Sequence, residues 1–241
     1  MITCKFLKNI ILLGLLVLLA CKENSRHYVT NEKYSNGNEN YEEIDTVLEK
    51  NDPKRLDLSK QQLFIDTTRT SQFYQSYLDW NPNLQQEDFS DVLNLITKKY
   101  PLQKQKISNF PRKWITIEKL NGEFLIYRPC NGNTESFVIT DEALYFFHQL
   151  EPEVALLHQV ITSNDTTFNA TLHTLSENNT VISFDFSIQP SATKDVYQLK
   201  YSHDTIVEER YVIPMDKVTH FNLVVNHCPE DMVREYDNFD Y

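Results

Sequence analysis

From residue 111 onward the chain repeats one device: a short run of alternating apolar and polar residues, then a tight turn. A period of two puts successive side chains on opposite faces, as a half-buried strand requires. The first pair is the clearest. Trp114-Ile115-Thr116-Ile117-Glu118-Lys119-Leu120 meets Asn121-Gly122, and Glu123-Phe124-Leu125-Ile126-Tyr127 follows. Asn-Gly between two such runs favours a type I′ turn, which needs positive φ at both central residues. Further strands are expected at 135–140, 143–149, 154–162, 166–175, 180–188, 195–202, 206–213 and 219–226. Turn residues separate them, among them Asn131-Gly132-Asn133, Thr140-Asp141-Glu142, Asn164-Asp165, Asn178-Asn179 and His203-Asp204. No helical stretch intervenes, so the expectation is a mainly β (α+β) chain built on an antiparallel meander of about ten strands. Such a sheet must close or fold over to protect its edges. A barrel or a strongly curved sheet is expected, with a two-sheet sandwich as the alternative.

Helical periodicity precedes this region. Phe73, Tyr74, Tyr77 and Leu78 share one helix face, and Asn81-Pro82-Asn83 ends that helix. A second helix is expected from Gln86 to about Lys99. Phe89, Val92, Leu93 and Ile96 share its face, Glu87 and Asp88 sit in its first turn, and Lys98 and Lys99 in its last. A short helix is expected after Cys228, with Pro229 at its start.

The N-terminus reads as an address. Lys5 and Lys8 precede an apolar run from Ile10 to Ala20, too short to cross a hydrocarbon core of about 30 Å as a helix. Leu18-Leu19-Ala20-Cys21 closes it. This segment resembles the signal peptide and lipobox of bacterial lipoproteins, with an aliphatic residue, a small residue and then Cys. The resemblance implies cleavage before Cys21 and diacylation of its side chain. Two or more acyl chains anchor firmly where one does not, at about 0.8 kcal/mol per buried CH₂. Lys22-Glu23-Asn24 resembles in part the surface-export signal of Bacteroidetes lipoproteins, and Asp45-Thr46-Val47 and Asp204-Thr205-Ile206 resemble the O-glycosylation motif of that phylum. Thr46 and Thr205 are the acceptors so implied. The implied location is the cell envelope, at the periplasmic or outward face of the outer membrane.

These signals divide the chain into a signal peptide (1–20), a lipidated Cys with a flexible tether (21–57), a helical segment packed on the sheet (58–110) and the β domain (111–241). Among the four cysteines, Cys4 lies in the leader and Cys21 is the lipidation site. Cys130 and Cys228 remain. An even pair in an exported chain favours one disulfide, and two buried free thiols are the alternative.

The 241 residues carry 23 Lys+Arg against 34 Asp+Glu, a formal charge of −11. That balance argues against a phosphate-tracking nucleic-acid binder, which needs a basic face. No phosphate loop, nucleophile elbow, zinc-binding His pair or calcium loop is present in the sequence, so no catalytic residue, metal or cofactor is assigned. The residues that could carry chemistry are scattered. His148 ends one expected strand, His158 lies in the next, and His173 and His220 fall on polar faces that solvent would cover. Asp185 stands among aromatics and faces outward unless paired with Arg128 or Arg210. Trp80 is either an exposed anchor or the cover of a helix end. The architecture resembles lipocalins only in outline: Pro111-Arg112-Lys113 precedes Trp114, so their Gly-x-Trp is missing.

Two functions follow. One is a non-enzymatic binding or interaction module of the envelope, held to the membrane by its lipid, whose partner is a protein, a glycan or a small apolar ligand. The alternative is an envelope hydrolase whose active site follows no motif. An acid–base cluster of Asp185, His158 and a Tyr would favour the hydrolase; a largely apolar lumen would favour the carrier.

Overall fold

The computed structural model describes residues 48–130, 134–148, 152–176, 178–203, 205–229 and 239–240. All of them belong to the compact unit Thr46–Tyr241. Among the described residues twelve strands form: β1 (Lys50–Asn51), β2 (Gln62–Asp66), β3 (Lys113–Leu120), β4 (Glu123–Arg128), β5 (Ser136–Ile139), β6 (Ala143–Phe147), β7 (Pro152–Ser163), β8 (Phe168–Leu175), β9 (Val181–Pro190), β10 (Tyr197–His203), β11 (Ile206–Pro214) and β12 (Asn222–His227). Two helices, α1 (Gln72–Leu78) and α2 (Glu87–Thr97), lie between β2 and β3.

Eight strands close into an antiparallel barrel, in the order β3-β5-β6-β7-β8-β9-β10-β11 and back to β3. Closure removes every edge within those eight. The barrel is nearly an up-and-down one, with a single departure from the expected meander. β4 does not continue to β5. The first half of β3 pairs with β5, through Lys113, Trp114 and Ile115, while its second half pairs with β4, through Glu118, Lys119 and Leu120. The Asn121-Gly122 turn joins β3 to β4 with φ of 51° and 80°. β4 then leads away into a second sheet of order β1-β2-β12-β4-β3, where β12 runs parallel to β4 and antiparallel to β2.

Alternation sorts the side chains into separate cores. Trp114, Phe137, Leu144, Leu157, Phe168, Phe186, Ile188, Leu199 and Val212 pack inside the barrel. Trp114 is fully buried and donates from Nε1 to the Pro111 carbonyl at 2.8 Å. Phe110 stacks between Trp114 and Phe168, at 5.1 and 5.4 Å between centroids, and seals this end of the lumen. The opposite face of β3, Ile115 and Ile117, joins Phe64, Ile126, Leu223 and Val225 beneath α1, which contributes Phe73, Tyr74 and Tyr77. α2 covers the outside of β6 and β7, where Phe89 meets Tyr145 and Phe147 edge-on at 5.1 and 5.5 Å. Three successive aromatics in β6 are thus accounted for, since Phe146 faces inward.

Two strands lie where the sequence reading places tether and helix. β1 falls within 21–57 and β2 within 58–110. β2 ends on Asp66, a fully buried carboxylate that accepts from Thr68 N at 2.8 Å and from Ser71 Oγ. A buried acid at a strand end breaks the expected alternation, and the strand exists because β12, some 160 residues later, pairs with it. The helix expected after Cys228 lies outside the described residues.

Candidate functional site

At the end opposite Phe110 the lumen opens into a cavity of about 690 Å³. Inward-facing positions of the strand ends supply its wall. Phe137, Phe146, Phe184 and Leu199 are apolar, and Glu135, His148, Glu153, Tyr201, Glu208 and Arg210 are polar. The polar groups form one chain of alternating charge. Glu153 Oε2 is 3.9 Å from His148 Nε2. Glu135 Oε1 is 3.6 Å from His148 Nδ1, and its other oxygen accepts from Arg210 Nη1. Arg210 Nη2 is 3.8 Å from Glu208 Oε2, which accepts from the Tyr201 hydroxyl at 2.7 Å.

Pairing sets the charge states. The ion pair with His148, aided by Arg210, holds the Glu135 carboxyl below its ordinary range. The same ion pair holds His148 above its ordinary value. Burial pushes the Glu118 carboxyl upward, and the nearby Glu135 adds to it. Burial, reinforced by the bond to Glu208, keeps the Tyr201 phenol protonated well beyond neutral pH. Glu135, His148 and Arg210 thus form a paired cluster at the lumen, the arrangement that orients a polar group on a ligand.

A smaller cavity of about 260 Å³ adjoins the first. The two share Phe146, Glu153, Phe184, Tyr201 and Glu208, and the smaller adds Val154, Ala155, Ile182, His203 and Ile206. Among the described residues no group of three or more His, Cys, Asp or Glu is arranged to hold a metal ion.

The residues singled out from sequence are dispersed. Cys21 and Thr46 lie outside the described residues. Thr205 is exposed beside β11. Cys130 and Cys228 are joined by a disulfide, with Cα atoms 5.3 Å apart. Asp185 is exposed and accepts from Thr171 at 3.1 Å; it pairs with neither arginine, because Arg210 is held by Glu135 and Arg128 reaches Ser76 and the face of Phe73. Trp80 covers a helix end, packed edge-on against Phe147 at 5.2 Å. His220 lies in a 3₁₀ turn (Met215–His220), not in a strand, and contacts Asp195 at 2.9 Å.

His173 corrects the expectation of a solvated outer face. It does point outward, but it is 3% exposed, because Tyr100 stacks on it at 3.9 Å. A break in register between Leu157 and Gln159 brings His158 beside it, with ring centroids 4.4 Å apart.

The mouth residues Glu135, Glu153, Tyr201 and Glu208 are the ones sequence reasoning missed. A signal existed for part of the set. Ser136 pairs with Phe147, so Glu135 and His148 are the next positions of the same hairpin. Tyr201 and Glu208 are likewise directly opposite. No protein-family model, curated protein or solved structure gives a significant match to this chain.

Proposed function

We propose that this chain is a lipid-anchored protein of the cell envelope whose barrel mouth binds a small molecule with a polar head and an apolar body. The open cavity of about 690 Å³, lined by a charged chain and by aromatic rings, carries the binding half of this reading. The apolar run ending at Cys21 supports the anchor, and the basic-deficient composition is consistent with a ligand other than nucleic acid. Thr205, exposed next to the mouth residue Ile206, is accessible as a glycan acceptor in the same reading.

The test is native mass spectrometry of the mature protein extracted gently from its own membranes. Expected are the mass of two or three acyl chains on Cys21 and a further small adduct that leaves on activation. A bare polypeptide without acyl mass overturns the anchor. An acylated protein that never carries an adduct, and binds none from an envelope lipid and metabolite extract, overturns the binding site.

A further inference from the structure

The two cavities meet at a shared wall. Five side chains line both compartments: the rings of Phe146, Phe184 and Tyr201 and the carboxylates of Glu153 and Glu208. Phe184 and Tyr201 stand edge to face, 6.5 Å between centroids at 71°. Of the basic groups, Arg210 and His148 line the larger compartment only, and His203 lines the smaller, its Nδ1 2.7 Å from the Ser183 carbonyl oxygen. Both are already engaged, Arg210 by Glu135 and Glu208 and His148 by Glu135 and Glu153. In the larger compartment three carboxylates therefore face one guanidinium and one imidazole, and the excess is negative. Glu153 is the acid with capacity to spare: its side chain is 68% exposed, and its ion pair with His148 is a loose 3.9 Å.

Aromatic faces attract cations through their quadrupole, most strongly when water is excluded, and rings beside carboxylates are the arrangement that holds alkylated ammonium groups. An anionic head at the same place would meet Glu153 and Glu208 at close range, a repulsive contact that disfavours it. The smaller compartment continues from the junction along Val154, Ala155, Ile182 and Ile206, surface suited to a short apolar chain. Ile206 is 62% exposed, an apolar lip at the entrance.

We infer that the mouth takes an organic ammonium with an apolar substituent, its cation caged by Phe146, Phe184 and Tyr201 between Glu153 and Glu208. This rests on the reading of the mouth as a ligand site and adds the charge of the ligand.

Titration calorimetry on the mature chain carrying Cys21→Ser, which needs no competing detergent, tests it with three probes of equal chain length below their micelle concentrations. Octyltrimethylammonium is the cation, octanoate the anion and octyl glucoside the neutral control. The expected result is at least tenfold tighter binding of the cation than of either control. Glu153→Gln, a change at an exposed side chain that leaves the core untouched, should weaken the cation several-fold and leave octyl glucoside unchanged. Phe184→Ala should weaken all three. Octanoate or octyl glucoside binding as tightly as the cation overturns the ammonium inference while the ligand-site reading stands. Cation binding untouched by both Glu153→Gln and Phe184→Ala places it elsewhere and overturns the inference. Binding of none of the three overturns both.

Discussion

Glu135 Oε1 and His148 Nδ1 lie 3.6 Å apart at the barrel mouth, the first pair beyond the β5–β6 ladder. The hairpin places them opposite each other, and β11 adds Arg210 on the far side of the carboxylate. One strand pairing thus sets an acid–base contact, and a second sets its counter-charge.

The pair makes a pH prediction. His148 titrates above its ordinary value in the folded chain, so it contributes stability that is complete below about pH 6.5 and is lost as pH rises through the raised folded value. Glu135→Gln should bring the imidazole back toward about 6.5 and remove that loss from the stability–pH curve. Histidine NMR titration of both proteins checks it; an unshifted His148 resonance would show that the contact does not govern its charge.

His173 predicts the opposite slope. Burial, with His158 and Lys99 nearby, holds its pKa low. Its stability contribution is present above about pH 6.5 and is lost as pH falls through the lowered folded value. His173→Phe keeps a ring against Tyr100 and removes the charge. Thermal melts at pH 7.5 and 5 should show a smaller acid-induced fall in the variant than in the parent.

Trp114→Ala should cost about 3–5 kcal/mol, the range for emptying a large aromatic site in a core. Three aromatic neighbours, Phe110, Phe137 and Tyr197, surround a side chain with no exposure. Urea unfolding measures the loss. A cost near that of a surface substitution would mean that the lumen is not packed at this end.

Reduction of the Cys130–Cys228 disulfide frees a loop spanning 98 residues. Chain entropy puts its contribution at up to about 4.7 kcal/mol, and measured native bridges fall at about 2–5 kcal/mol. Cys228→Ser should lower the melting temperature by an amount that reductant does not increase. Reductant acting equally on variant and parent would indicate that the bond contributes nothing.

Local signals in the chain account for the strands of the barrel and the two helices. Period-two alternation, an Asn-Gly turn and capping residues such as Ser71, whose Oγ accepts from Tyr74 N at 3.3 Å, are local signals written within a few residues. The hairpin pairs Glu135–His148 and Tyr201–Glu208 were legible in principle, because a tight turn sets the register of its own two strands. Other features belong to tertiary structure. β2 forms because β12 pairs with it, β3 serves two neighbours along one side, and Arg210 reaches Glu135 because β11 and β5 flank β3. His173 is buried because Tyr100, beyond α2, stacks on it. Local alternation names the face a side chain takes; only closure of the barrel decides which distant strand stands beside it and whether that face meets water.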